Sequence, residues 1–381
     1  MSKVGKSEIR VDAFDKVTGR TKYYEDRMPA GALYARIKHS TIAHGFVKSV
    51  DKSAAEAIPG VMKVLTCFDV PEHCFPTAGH PWSMDPGHQD VADRNLLNRH
   101  VRYYGDDVAV VIAEDEVSAM QGVRALKVEY EELPFVLDVQ KAMEPDAPQI
   151  HEDCPGNVLK HTDIRRGDYQ TAIQEPGLIR VEAGTTPPLS STATLKTTAA
   201  SPMRRRKSVV VSSTQIPHII RRVVGQALGL PWGKVRIIKP YIGGGFGNKR
   251  GRSVRAFVRL AFHQVGGRLV HLECSREETF VSNRVRHAIR THIISYVRPT
   301  APWWPGSLRP GPTRGLRLPR PQHRGQGHGR FPQLYPCDNL ECDCWSVFTN
   351  RPAAALCAVT ASPRPCSPEK ATSTISAPPL A

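Results

Sequence analysis

The sequence lacks an apolar run long enough to cross a membrane. Its apolar runs, such as residues 108–113, are much shorter than the roughly 20 residues that a transmembrane helix needs. Residues 1–10 contain no apolar stretch of the kind found in a secretory signal peptide. Nine cysteines are scattered over 381 residues without a pairing pattern, which favours reduced thiols. We therefore expect no membrane partner and a cytoplasmic location.

The cysteine spacing of an iron–sulfur cluster or a zinc site is also missing. Cys337, Cys342 and Cys344 lie close together with Asp338 and Asp343. They form no C-x-x-C pair, however, and no second pair follows. Free thiols are therefore favoured over a metal site.

Acidic residues are missing from three segments, 184–207, 250–262 and 299–330. These segments carry 15 basic residues, so they account for nearly all of the formal net charge of +16. Two interpretations compete. The segments are either disordered basic arms that bind nucleic acid, or they are translated in a wrong reading frame.

The genetic code favours the wrong-frame interpretation. Residues 355–362 (ALCAVTAS) can be encoded by a string that gives Ala-Met-Arg-Gly-Tyr-Gly-Ile when it is read two bases later. Residues 299–330 contain seven prolines and neither a strand nor a helix period. We therefore expect 184–207 and 250–262 to be aberrant and 299–381 to be mostly disordered or frame-shifted. Within that tail, residues 331–352 are expected to be in frame.

The first 135 residues show regular periods and predict one compact α+β domain. Residues 136–183 show few periodic elements and predict a surface connector. Within 1–135, hydrophobic periodicity predicts strands at 33–38, 61–66, 107–113 and 128–133 and a helix at 116–126.

A strand–helix–strand pattern follows. Strands are predicted at 209–215 and 235–239, with an amphipathic helix at 216–230 between them. On that helix Ile220 and Val223 are expected to face the core, and Arg222 to face solvent. Gln215 ends the first strand and the glycine string 243–247 (GGGFG) follows the second, so both are expected at one carboxyl edge, where α/β proteins bind ligands.

The glycine string by itself is typical of a tight turn. It is not a phosphate-binding P-loop, because Asn248-Lys249-Arg250 does not provide the Gly-Lys-Ser/Thr that this chemistry needs.

Several short sequence strings occur along the chain in the same order as in a known protein family. Together they resemble the molybdenum-binding subunit of the xanthine dehydrogenase/aldehyde oxidase family. The resemblance implies an a/b hammerhead domain over 1–135 and the first part of a molybdopterin-binding α/β domain over 184–298. The matching strings are residues 11–13, 16–19, 40–45 (STIAHG), 59–61, 66–71 (TCFDVP), 211–226 and 239–249 (KPYIGGGFGNK).

The family implies hydroxylation of a purine or an aldehyde at a molybdenum centre held by molybdopterin, in this case the cytosine dinucleotide form. It also implies that FAD and 2Fe-2S centres lie on partner subunits. The cofactor would perform the redox chemistry and the protein would orient it.

The resemblance carries over to four cofactor-binding positions. Gln215 matches the glutamine whose amide hydrogen-bonds an oxygen ligand of molybdenum, and an amide can both donate and accept. Phe246 matches a residue beside the metal, so Gln215 and Phe246 are expected to contact the molybdenum centre indirectly. Gly245 and Gly247 match the glycine turn that contacts the centre.

Two family positions are not matched. Arg250 stands where relatives carry a substrate-binding Glu or Gln. The family's catalytic glutamate lies near the end of a longer chain, so no catalytic residue is assigned here. The function predicted is thus a molybdopterin-dependent hydroxylase subunit, inactive as this fragment. The alternative is a basic nucleic-acid-binding protein that uses the Arg/Pro-rich segments.

Overall fold

The structure, a computed structural model of the chain, describes residues 4–76, 83–85, 91–185, 200–203, 208–247, 249, 254–285, 290–297, 316–319 and 338–353. Helices and strands alternate irregularly along it, as expected for an α+β protein. The helices are α1 (Ala13–Val17), α2 (Ser53–Glu56), α3 (Glu116–Ala125), α4 (Tyr169–Ala172), α5 (Pro217–Ala227), α6 (Val254–Gln264) and α7 (Arg276–Ser282).

The strands run through the whole described part of the chain. They are β1 (Leu33–His39), β2 (Gly45–Asp51), β3 (Val61–Thr66), β4 (Phe75–Pro76), β5 (Ala92–Arg94), β6 (His100–Val101), β7 (Asp107–Ala113), β8 (Lys127–Glu132), β9 (Val158–Arg166), β10 (Ile179–Thr185), β11 (Ala200–Met203), β12 (Ser208–Ser212), β13 (Val235–Ile238), β14 (Val270–Leu272), β15 (Arg290–Val297), β16 (Leu316–Pro319) and β17 (Leu340–Val347).

The N-terminal elements follow the hydrophobic periods closely. In β1 the alternate residues Leu33, Ala35 and Ile37 are buried, because successive side chains of a strand point to opposite faces. Strand β7 is buried along its whole length, as its continuous apolar run predicts. Helix α3 begins where the Asp115 carboxylate accepts a hydrogen bond from the backbone N–H of Ser118, 2.8 Å away, and so caps the helix.

The N-terminal region does not complete its main sheet alone. That sheet has the order β14–β1–β7–β3, and its first strand comes from the second half of the chain. Leu33 pairs with Val270 in parallel register, and the Arg36 guanidinium donates to the Glu273 carbonyl at 2.8 Å. One hydrophobic core therefore spans both halves, with α5 and α6 packed into it.

The predicted connector, 136–183, contains more helix and strand than its weak hydrophobic periodicity suggests. Strand β9 pairs antiparallel with β17 in the sheet β10–β15–β16–β17–β9. A second small core joins Val136 and Ile150 to Val347 and Phe348. Because its strand partner lies about two hundred residues away, β9 could not be inferred from local sequence.

All three acid-free segments contain elements that the sequence did not predict. In 184–207, residues Ala200–Met203 form β11, which pairs antiparallel with β12. In 250–262, residues from Val254 onward form α6, and Phe257 and Val258 are fully buried in the shared core. In 299–330, residues Leu316–Pro319 form β16 between β15 and β17. Backbone pairing holds a strand without requiring a hydrophobic period. Residues 354–381, on which the frame comparison rests, lie outside the described residues.

Helix α5 confirms the predicted core face with one exception. Ile220, Val223 and Val224 are buried as expected. The prediction for Arg222 is wrong, because this side chain is only 5% exposed. The buried face of α5 is therefore wider than its apolar face, since the helix is covered by neighbours on more than one side.

Among the described residues, no helix is both long enough and apolar enough to cross a membrane.

Candidate functional site

The candidate site lies at the carboxyl edge of the parallel pair β12 and β13. These strands pair in register from Ser208↔Val235 to Val211↔Ile238, with α5 as the crossover between them. Because the strands are parallel, the residues that follow each of them lie at the same edge of the sheet. The predicted juxtaposition of Gln215 with the glycine loop, residues 243–247, is observed there.

A direct hydrogen bond joins the two segments. The backbone N–H of Gly247 donates to Oε1 of Gln215 over 3.1 Å. The backbone N–H of Gln215 in turn donates to the carbonyl of Lys249, also over 3.1 Å. The loop is therefore attached to the strand end through both the side chain and the main chain of Gln215.

Thr214 adds a third attachment that the sequence analysis missed. Its hydroxyl donates to the Lys249 carbonyl at 3.0 Å and accepts from the Ile216 N–H at 3.2 Å, and the residue is fully buried. A Ser or Thr hydroxyl that binds a backbone N–H two residues later is a common turn device. The threonine just before Gln215 and the helix was therefore a usable signal.

Steric space explains the glycine at position 245. A Cβ atom there would lie 2.5 Å from Cδ and 2.8 Å from Oε1 of Gln215. Real Cβ atoms do not approach side chains that closely, so any larger residue would displace the Gln215 amide. Glycine at this position permits the close approach of loop and side chain.

The backbone of the loop is left-handed at two consecutive residues. Phe246 has φ 44° and Gly247 has φ 93°. A positive φ is uncommon for a residue with a side chain and costs on the order of 1–3 kcal/mol. The Phe246 ring is 58% exposed and lies against Gly244, where a Cβ would come within 2.6 Å of the ring. The loop therefore holds an aromatic ring at the surface in a constrained backbone.

Several hydrogen-bond donors at this edge remain available to a ligand. Within the described residues, the Gln215 amide nitrogen makes no hydrogen bond. The backbone N–H groups of Gly244, Gly245 and Phe246 also make none to the part of the chain that is described. Such a set of donors suits the oxygen atoms of an anionic or metal-bound ligand.

The other residues singled out in the sequence are either outside the described part of the chain or lie away from this edge. Arg250 and Cys337 lie outside the described residues. Cys342 and Cys344 are buried in a small core beside Ile293, and neither is in a disulfide.

Asp343 lies on the opposite face of β17 from these thiols and contacts Arg165 at 2.9 Å. The carboxylate and the thiols therefore point away from each other. In the described ranges as a whole, no three His, Cys, Asp or Glu side chains are grouped to hold a metal.

Two family models match the chain in sequence order. The model described as "Aldehyde oxidase and xanthine dehydrogenase, a/b hammerhead domain" matches residues 18–134. The model described as "Molybdopterin cofactor-binding domain" matches residues 150–298. The predicted fold, a hammerhead domain followed by a molybdopterin-binding domain, is confirmed.

Curated relatives agree with these matches. The chain is 42% identical over 281 residues to the xanthine dehydrogenase molybdenum-binding subunit of Escherichia coli O157:H7, covering 74% of this chain and 37% of that protein. It is 32% identical over 364 residues to the nicotinate dehydrogenase large molybdopterin subunit of Eubacterium barkeri, covering 92% of this chain and 80% of that protein. The chain thus spans little more than a third of the length of the Escherichia coli relative.

Solved structures share the fold. Carbon monoxide dehydrogenase from Oligotropha carboxidovorans superposes with a TM-score of 0.80 at 24% identity, over 96% of this chain and 48% of that chain. Aldehyde oxidoreductase from Desulfovibrio desulfuricans gives a TM-score of 0.81 at 24% identity, over 92% of this chain and 39% of that chain.

The nucleic-acid-binding alternative receives no support from any of these matches. Because both domains match in order and the nicotinate dehydrogenase subunit is covered over most of its length, this chain belongs to the xanthine dehydrogenase/aldehyde oxidase family of molybdopterin-binding large subunits.

Proposed function

We propose that the chain is a molybdopterin-dependent hydroxylase subunit that acts on hypoxanthine or xanthine. The observation that carries the proposal is the hydrogen bond between Gln215 and Gly247 at the carboxyl edge, which places an amide beside a loop of free backbone donors. Higher identity to the xanthine dehydrogenase subunit, 42%, than to the nicotinate dehydrogenase subunit, 32%, supports a purine over nicotinate. An aldehyde is the second substrate class to be tested.

The residues of this edge fit a molybdenum–pterin cofactor. Gly245 lets the loop pack directly against the Gln215 amide, and the backbone donors of Gly244, Gly245 and Phe246 suit the oxygen and pterin atoms of the cofactor. When bound, the cofactor would supply the redox chemistry of hydroxylation. Gln215 and Phe246 would lie beside the metal and Gly245 and Gly247 beside the pterin.

The chain's own contribution is orientation. Oε1 of Gln215 accepts from the Gly247 N–H, so the amide cannot rotate freely and its nitrogen stays a donor toward the ligand side. Donors held in place before the reaction cost no reorganisation when charge develops. Phe246 shields one side of the loop with an apolar ring. These residues therefore bind and orient, and they do not themselves transfer protons.

The wider assembly follows from the family. We propose the cytosine dinucleotide form of the pterin, partner subunits that hold FAD and 2Fe-2S centres, and a cytoplasmic location. The descriptions of two relatives as a molybdenum-binding subunit and a large molybdopterin subunit support a multi-subunit enzyme in which this chain supplies the molybdenum side.

The experiment measures molybdenum content and substrate oxidation of the protein purified with its associated subunits. Xanthine, hypoxanthine, an aldehyde and nicotinate are each offered with an artificial electron acceptor. In a subunit of the relatives' full length that contains this chain in frame, we expect oxidation of the purines and, for the Gln215→Ala variant, a kcat lowered roughly 10²–10³-fold, since one oriented donor is lost. Oxidation of nicotinate or an aldehyde alone would overturn the purine assignment.

Gly245→Ala tests the loop itself. The added methyl displaces the Gln215 amide, so we expect reduced molybdenum content with little change in the unfolding free energy. Gly233→Ala is the matched control, because a Cβ at Gly233 meets open space outside the site. Equal molybdenum content in the two variants would contradict the proposed role of the loop.

A further inference from the structure

The buried hydroxyl of Thr214 joins three parts of the chain at the carboxyl edge. It donates to the Lys249 carbonyl at 3.0 Å and accepts from the Ile216 N–H at 3.2 Å. Ile216 is the N-cap residue of α5, and its own side chain has no oxygen that caps the helix. The single hydroxyl proton is committed to Lys249, so the hydroxyl cannot rotate without losing that bond. One side-chain oxygen therefore links the segment after β12, the start of α5 and the residue where the glycine loop ends.

The Lys249 carbonyl is held by two consecutive residues. The backbone N–H of Gln215 donates to the same oxygen at 3.1 Å, so this oxygen accepts twice, which is the capacity of a carbonyl. Thr214 is 0% exposed and Lys249 is 5% exposed, so solvent does not compete for these bonds. The two bonds together fix where the glycine loop ends relative to Gln215.

The glycine loop has no spare room on the Gln215 side. The Gly247 N–H, two residues before Lys249, donates to Oε1 of Gln215 at 3.1 Å. A Cβ on Gly245 would lie 2.8 Å from that same oxygen. A shift of the loop end therefore lengthens the bond from Gly247 or brings Gly245 against the amide. The orientation of the Gln215 amide thus depends on where the Lys249 carbonyl is held.

We propose that Thr214 is a positioning residue, whose hydroxyl clamps the Lys249 carbonyl so that Gln215 presents its amide nitrogen to the ligand side of the edge. The inference rests on the proposed function in one respect, because a molybdenum–pterin ligand is what the oriented amide serves. The clamp itself belongs to the chain without any ligand. Its effect on the reaction is indirect and passes through the geometry of Gln215.

Hydrogen exchange at single-amide resolution tests the clamp in the chain without a ligand. Thr214→Val keeps the shape of the side chain but removes the hydroxyl, so we expect the Gly247 N–H to exchange roughly tenfold faster, since two hydrogen bonds are lost. Thr214→Ser keeps a hydroxyl and should hold the rate within about twofold of the unmodified chain. The amides of β7 report on global unfolding. A merely structural role would speed the Gly247 and β7 amides by the same factor, whereas a clamp speeds the Gly247 amide by a larger one.

Thr66→Val is the matched control, because it removes the same pair of bonds in another sheet. Thr66 ends β3 and is 3% exposed. Its hydroxyl donates to the Asp69 carboxylate at 2.7 Å and accepts from the N–H two residues later, that of Phe68, at 3.3 Å. We expect the Gly247 N–H to exchange in Thr66→Val as it does in the unmodified chain. Equal acceleration in the two valine variants, or none in Thr214→Val, would overturn the proposal.

A kinetic measurement separates this proposal from the proposed function. It compares kcat per bound molybdenum in a subunit of the relatives' full length that contains this chain in frame, assembled with its partner subunits. We expect Thr214→Val to lower kcat roughly tenfold with KM within about twofold, because an orienting group is displaced but binding is retained. Thr214→Ser should keep the unmodified kcat.

Gln215→Ala in the same assay shows which of the two proposals fails. A slow Gln215→Ala beside an unchanged Thr214→Val would overturn the positioning role of Thr214. An unchanged kcat in Gln215→Ala would overturn the proposed function instead, and hydrogen exchange of the Gly247 N–H would still decide whether the clamp exists.

Discussion

The two sheets that meet in the shared core use their residues differently. In β14–β1–β7–β3, strand β7 is buried along its length and Ile112 is fully inaccessible. In β11–β12–β13, the important residues follow the strands, and Phe246 in the loop is 58% exposed. Side-chain volume decides which residues fit in the first sheet, whereas at the edge of the second sheet the close approach of the glycine loop to Gln215 decides. The most tightly packed strand and the proposed binding edge therefore lie in different parts of one core.

Ile112→Ala gives the largest expected effect on stability. The side chain is fully buried between β1 and β3, so its loss should lower the free energy of unfolding by about 2–5 kcal/mol. Gln215→Ala should lower it by less than about 1 kcal/mol, because this residue is partly exposed. Urea unfolding followed by circular dichroism measures both. Val117→Ala, at a side chain 63% exposed, is the surface control. An equal decrease in the free energy of unfolding for Ile112→Ala and Gln215→Ala would contradict the difference between the two sheets.

Asn350→Ala should have the next largest effect. Its Oδ1 accepts from the Val136 N–H and its amide donates to the Arg102 carbonyl, both at 2.9 Å, and the residue is 3% exposed. Removing the amide takes the side-chain acceptor from the buried Val136 N–H and one hydrogen bond from the Arg102 carbonyl, so we expect a loss of about 1–3 kcal/mol. Gln170→Ala removes a contact on an exposed face and should change unfolding little. If the two variants unfold alike, residues 338–353 do not dock as described.

Acid should weaken the N-terminal region through a pair of histidines. Nε2 of His44 lies 3.1 Å from Nε2 of His100, and burial, the Arg102 charge and His44 lower the pKa of His100 to about 3. Below the ordinary pKa of about 6.5, the unfolded chain binds this proton and the folded chain does not. The free energy of unfolding is thus not reduced by His100 above about pH 6.5. Between that pH and about pH 3 it falls by up to about 1.4 kcal/mol per pH unit.

Urea unfolding between pH 4 and 8 measures this slope. His100→Gln cannot take up the proton, so we expect a shallower slope for it, while Gln215→Ala should retain the slope of the unmodified chain. An unchanged slope in His100→Gln would assign the acid sensitivity to other groups.

The sequence predicts helices and strands correctly where the local hydrophobic periodicity matches the burial of the element in the folded chain. Strand β7, helix α3 and the βα unit that leads to β13 have the expected types, but β12 ends at Ser212, three residues before Gln215, and α5 ends at Ala227, three residues before its predicted end. It did not predict β9 and β16, because their partners are distant along the chain and pairing, not composition, holds them. The absence of acidic residues predicts aberrant sequence at 250–262, but charge balance does not determine helix formation, and α6 forms there.

At the site, topology was predictable and atomic contact was not. The parallel order of two strands is enough to bring Gln215 near the glycine loop. The bond to the Gly247 N–H and the positive φ of Phe246 depend on the loop path, which a glycine string leaves open. Arg222 shows the same limit, because its burial depends on elements that pack around α5 from elsewhere in the chain.

The pairing of Leu33 with Val270 has a consequence for synthesis of the protein. During translation, β1 is made long before its partner β14, and at about 5–20 residues per second the intervening chain takes roughly 10–50 s to appear. Throughout that interval one side of β1 presents unpaired backbone groups that can pair with another strand. The nascent chain therefore passes through a stage at which premature pairing with other molecules competes with the arrival of its own final strand.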